Sequence, residues 1–278
     1  MIWVIWDAVA LAFVPCYWIL MTGKTEACYD VAFFMLNNDL GGLFNPFIIG
    51  IDFERAFINM TRKHWPEATL IGCFFHFKQA LRRYLISELR FPKEIVSMMM
   101  RRGFLDLATV LPMEDVCTIN GKGWLYIAAL IDCTSSGNEE ADRWFHSFEG
   151  RTKLAMFYLY IKKFWLSDGI FQLWNWAAFI NCPREAIKFR TNCWMESYNK
   201  EWGEKFAVAH PSLAVFLNTV IAEQDRVYDN VNNLRNDRAD PIKYGEIDYP
   251  QIPDDYSEFE MPSLKKINLT TRPNKRRS

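Results

Sequence analysis

The 278-residue chain has almost no net charge: 32 Lys and Arg against 33 Asp and Glu leave a formal −1. That balance argues neither for nor against a nucleic-acid partner, and it confines any basic surface to a local patch. Paired cysteines are missing as well. The seven stand singly at 16, 28, 73, 117, 133, 182 and 193, with no CxxC. This suggests neither a disulfide framework nor a zinc ribbon, and fits reduced thiols in an intracellular protein better. There is no internal repeat. Nor is there a clean membrane span. The opening "MIWVIWDAVALAFVPCYWILMTGK" has no Lys or Arg ahead of its apolar part, Asp7 interrupts it, and Pro15 lies within it. Its Val, Ile, Trp, Phe and Tyr suit a buried hairpin, two strands joined near Asp7 and Ala8, better than a membrane anchor over residues 1–23.

What the chain does have is core. Half its residues are hydrophobic and 16% are aromatic, enough for one large domain or two modest ones. Thr25 is placed to cap a helix whose apolar face reads as Cys28, Ala32 and Met35, with Val31 and Phe34 beside it. Gly41 and Gly42 mark a loop. A buried strand over 47–51 follows, then a helix over 54–64, a second apolar run "TLIGCFFHF" and the helix "FKQALRRYLISEL". The order is strand, strand, helix, strand, helix, strand, helix, which is an α/β sheet with helices packed over it.

Residues 1–90 therefore form the α/β core, and 91–190 a helical insertion whose Trp and Phe residues serve packing. Helices carry 191–235, the second with Pro211 at its start. Residues 236–278, rich in Pro, Asp and Tyr, read as a poorly ordered tail.

In "NPFIIGIDFERAFINM" the apolar run ends on Asp52 and a helical pattern begins at once. A carboxylate at the C-terminal end of a strand lies where α/β sheets place working residues. The plain alternative is that Asp52 caps the next helix, although position 55 is Arg55 and completes no capping box.

Two further stretches bear on that choice, "GCFFHFKQALRR" and "RTNCWMESYN". Together with "IGIDFERA", the opening "VPCYWILMTGKTEACYDVAFFML" and "HPSLAVFL", they resemble the catalytic domain of Mutator-like (MULE) transposases. These belong to the RNase H-like, acidic-triad superfamily, and the resemblance runs over about residues 1–225. It implies an RNase H-like mixed sheet with an all-α insertion and a helical C-terminal flank. It also implies metal-dependent DNA cleavage and strand transfer, with Mg²⁺ or Mn²⁺ as two divalent ions. Transposon-end DNA would be the partner, with self-association and a nuclear location. Asp52 is then the second acid and Glu196 the third. Asn192 and Asn199 flank Glu196 at i−4 and i+3.

Cys73 and His76 match a C-x-x-H element. Two ligands fall short of the four of a structural zinc site, so the expected roles are a hydrogen bond from His76 beside the acids, or packing. Lys78, Arg82 and Arg83 would meet DNA phosphates, with an ordinary solvated helix face as the alternative. His210 in "HPSL" reads as structural, and "RPNKRRS" as a nuclear import signal or a generic basic tail. The family's opening strand, with the first acid, would precede Met1, and Asp7 stands at the wrong place in the order to replace it. The expectation is an inactive, truncated transposase domain, or a co-opted derivative that binds DNA or protein without catalysis.

Overall fold

A computed structural model describes residues 1–167, 170–175, 193–208, 210–244 and 250–260. It is a mixed α/β structure. Strands β1 (Ile2–Asp7) and β2 (Ala12–Trp18) pair antiparallel, from Ile2 opposite Trp18 to Asp7 opposite Ala12. The register shifts between Trp3 and Val4, leaving Cys16 as the extra residue of a bulge beside Pro15. Such irregularities are where a strand tolerates proline. Asp7 is buried and organises the turn. Its Oδ1 accepts the amides of Val9 and Ala10, both at 2.9 Å, and its Oδ2 accepts from Arg235 Nε at 3.0 Å. Among the described residues no helix is long and apolar enough to cross a membrane.

Helix α1 (Glu26–Asp39) begins where Thr25 accepts the Cys28 amide at 3.3 Å. Its buried face differs from the expected one. Tyr29, Ala32, Phe33 and Leu36 point inward, while Val31, Phe34 and Met35 are exposed. Aromatic area decides the rotation: Phe33 meets the rings of Trp3, Phe57 and Trp65 at centroid distances of 5.8, 5.3 and 5.0 Å.

Strand β3 (Ile48–Ile51), helix α2 (Arg55–His64) and strand β4 (Thr69–Gly72) follow, with β3 and β4 paired in parallel and Ile51 opposite Gly72. The strand order of the sequence reading is observed, but not one continuous sheet. Among the described residues the hairpin and the parallel pair do not hydrogen-bond to each other. A groove of about 430 Å³ separates them, lined by Val4 and Trp6 of β1 and by Ile48 and Gly50 of β3. The expected burial of 47–51 does not hold: β3 begins at Ile48, Ile49 and Ile51 are buried, and Phe47 and Gly50 are exposed.

Helix α3 (Phe74–Arg83) starts three residues earlier than its apolar pattern suggests and runs into a π-helical turn, Tyr84–Glu88. From there on the described elements are helical: α4 (Lys93–Met99), α5 (Met113–Val116), α6 (Lys122–Asp132), α7 (Glu139–His146), α8 (Phe148–Tyr160) and α9 (Phe171–Trp174). Trp124, Phe145, Phe157 and Trp174 are almost fully buried and serve packing, while Phe148 and Phe164 of the same helical segment are exposed. Trp174 stacks on Phe77 of α3 at 4.9 Å, which seats this helical layer on the α/β unit.

Helices α10 (Cys193–Glu204) and α11 (Leu213–Arg235) carry the C-terminal flank. The segment after α11 is not loose throughout. Tyr244 accepts the Phe13 amide at 2.8 Å, and buried Tyr256 packs edge-on against Tyr126 at 5.0 Å. Its tyrosines supply the anchorage that its Pro- and Asp-rich composition conceals.

Because Arg235 ends α11, its bond to Asp7 ties the last long helix to the first hairpin. Asp7→Asn should cost about 2 kcal/mol in urea unfolding at neutral pH, through loss of the charge-assisted bonds. Arg235→Met should cost nearly as much, and the double variant little more than either.

Candidate metal centre

The parallel register builds the site. Since Ile51 lies opposite Gly72, the chain leaves two adjacent strand ends at Asp52 and Cys73, side by side. The Cys73 amide donates to the Ile51 carbonyl at 2.9 Å and extends the ladder by one bond. Cys73 is fully buried and is the N-cap residue of α3, and His76 stands one turn into that helix. Gly72 is required by close approach. A Cβ there would lie 2.5 Å from the Phe53 ring and 2.7 Å from the Leu173 carbonyl, a backbone atom that cannot swing away.

Asp52 does not cap α2. The N-cap is Glu54, whose side chain makes no capping bond. Asp52 instead meets His76: Nδ1 lies 3.0 Å from Asp52 Oδ1, outside hydrogen-bond alignment. On the other side of the ring, His76 Nε2 is 3.4 Å from Glu196 Oε1 on α10. One imidazole thus bridges carboxylates 144 residues apart, as 196 − 52 gives. One ligand atom each from Asp52, Cys73 and His76 lie within 4.8 Å of one another, a group that could hold a metal ion. Asp52 thus adds a third possible ligand to the C-x-x-H pair, still one short of a structural zinc site.

Glu196 is in place because α10 is docked on α11 through a buried acid. Glu223, only 2% exposed, accepts from Tyr198 at 3.0 Å and from Arg226 at 2.8 and 2.7 Å, with Lys205 at 3.1 Å. Burial alone would raise its carboxyl. The bonds from Arg226, Lys205 and Tyr198 outweigh that and hold it at about 2.

The other expected residues divide. Asn199, exposed, lines a second groove with Asp52, Glu54 and Tyr29. Asn192 lies outside the described residues. Lys78 is not a free DNA contact: its ammonium lies 3.3 Å from Asp106 Oδ2, a carboxylate 1% exposed that needs a counter-charge. Arg82 and Arg83 are exposed, and Arg83 shares a cleft with His76, Arg55 and Phe53. Asp7, held by Arg235 at the hairpin turn, takes no part in the centre.

Two residues near the site went unnoticed in the sequence. Arg55, three positions after Asp52, carries no local signal beyond its failure to complete a capping box. Glu54 accepts from Tyr29 at 2.9 Å, and burial followed by that bond pushes the Tyr29 phenol upward. No signal in the sequence points to that pair, which comes together only when α1 packs on α2.

No family model, curated protein or solved structure matches the chain.

A carboxyl whose folded pKa is depressed stabilises above its unfolded value, near 4.3, and loses that contribution as pH falls through the folded value. Glu223→Gln should therefore cost about 3 kcal/mol at pH 7, and the difference from wild type should shrink between about pH 4.3 and 2. Chemical denaturation across that range, followed by far-ultraviolet circular dichroism, measures it.

Proposed function

We propose that the chain is a DNA transposase catalytic domain of the Mutator-like class, with an RNase H-like core in which Asp52 and Glu196 are two of the metal-holding acids. The observation that carries this reading is the convergence of Asp52 and Glu196 on opposite sides of His76, at 3.0 and 3.4 Å. The resemblance assigns the same two residues, far apart in the chain, to one centre.

The donors suit hard divalent ions where they are carboxylates, since Mg²⁺ and Mn²⁺ take carboxylate oxygen and keep several waters. Such ions, when bound, activate an attacking oxygen and stabilise the leaving one in phosphodiester cleavage. Around them the chain's own groups have separate tasks. Arg55 and Arg83 line the cleft that also holds His76, and grip phosphates without reading sequence. Asn199 in the adjoining groove orients backbone or water by hydrogen bonds. His76 sets the spacing of the two acids.

The groove between β1 and β3 belongs to the same reading. A strand laid there would pair with both open edges, join the two sheets and end beside Asp52. An acid at its end would complete the metal set. Without it, two carboxylates hold metal weakly and cleavage falls by orders of magnitude. DNA binding would remain.

The reading makes a paired prediction. The 278-residue chain should bind duplex DNA, and the Arg55→Ala/Arg83→Ala variant should lower the slope of log affinity against log salt by about 2. In Mg²⁺ it should not cleave above background. A version carrying an added Asp-bearing strand in the groove between β1 and β3 should cleave, and lose that activity with Asp52→Asn or Glu196→Gln. Cleavage by the 278-residue chain, or a longer chain indifferent to both substitutions, contradicts the assignment.

A further inference from the structure

Nothing in a hard-ion centre calls for a thiol, yet Cys73 is buried with its sulfur in the same ligand group as Asp52 and His76. We propose that Asp52, Cys73 and His76 form a mononuclear site for a borderline transition metal of the zinc class, with Glu196 as the hydrogen-bond partner of the histidine. The inference concerns the cleft of the transposase reading but stands or falls apart from it. Binding the ion needs no DNA and no cleavage.

Four observations converge. First, the donor set is one sulfur, one ring nitrogen and one carboxylate oxygen, which zinc accepts and Mg²⁺ does not. Second, the spacing is close. A tetrahedral ion with bonds of about 2.0–2.3 Å keeps its ligands roughly 3.3–3.8 Å apart. The three atoms lie within 4.8 Å of one another, so rotations of about an ångström close the site. Third, His76 Nδ1 is buried and makes no hydrogen bond, although Asp52 is 3.0 Å away. Its natural partner is an atom between it and the carboxylate. Fourth, the other ring nitrogen faces Glu196 at 3.4 Å. A carboxylate behind a metal-bound histidine fixes its tautomer and raises its basicity.

Three protein ligands leave a fourth tetrahedral position open to water or an exogenous donor. Asp52, with its side chain 54% exposed, sits on the solvent side. Occupancy takes up an Asp52 oxygen and turns Glu196 into a support for His76 in place of a ligand. A zinc-class ion and the hard-ion pair therefore compete for the same acids, and the zinc-class ion holds the centre in a non-cleaving form.

The probe is Co²⁺ added to the reduced 278-residue protein, read by absorption. The expected result is a thiolate-to-cobalt charge-transfer band that saturates at one equivalent, persists in excess Mg²⁺ and vanishes in Cys73→Ser. Glu196→Gln should retain the band with roughly tenfold weaker affinity. Absence of the band in folded wild type overturns the proposal, as does a band that survives in Cys73→Ser. If Cys73→Ser does not fold, His76→Gln replaces it, since that side chain is 29% exposed. Unchanged Co²⁺ affinity in folded His76→Gln overturns the proposal equally. DNA cleavage enters none of these outcomes, so failure of the transposase reading leaves them intact.

Discussion

The 2.9 Å bond from the Cys73 amide to the Ile51 carbonyl is the contact on which the centre depends. It carries the β3–β4 ladder one step past the last paired residues and so fixes Asp52 next to Cys73. A slip of one residue would turn each side chain of β4 to the opposite face and separate the thiol from the carboxylate. Gly72 guards that register. Its missing Cβ lets Phe53 and the Leu173 carbonyl close over the strand end, so the helical layer presses on the site from behind.

Glu196 reaches the site by a different device. Its helix is clamped to α11 by Glu223, buried among Tyr198, Lys205 and Arg226. Breaking a buried, fully bonded acid costs several kcal/mol, so α10 holds one position above the strand ends. The first turn of α10 also covers the groove between the two sheets, where Trp194 and Met195 join β1 and β3 in its lining. The acid and the open strand edges are thus neighbours. Whatever occupies the groove will bear directly on the carboxylates.

The sequence was a good guide where the signal was local. Alternation of element types, the Thr25 cap and the strand end at Asp52 are all short-range features, and each appears in the structure, whereas α11 is headed by the Ser212 cap, with Pro211 one residue outside it. It misled where packing decides. The face of α1 was misjudged because Phe33, not Met35, finds three aromatic rings across the core. Lys78 read as a surface charge because its partner, Asp106, is 28 residues further on. The joining of Cys73 and His76 with Asp52 was only half legible. The C-x-x-H spacing showed two donors, while the third needed the parallel pairing. Tyr244 and Tyr256 anchor a segment whose composition suggested no order.

The strand ends and α10 converge on one site, where we propose that a divalent ion binds. Anomalous diffraction from crystals soaked in Mn²⁺ tests it most directly. The expected result is an ion peak bound to an Asp52 oxygen at about 2.1 Å, with Glu196 and His76 around it. A peak elsewhere, or no peak with Glu196 turned away from His76, would contradict it.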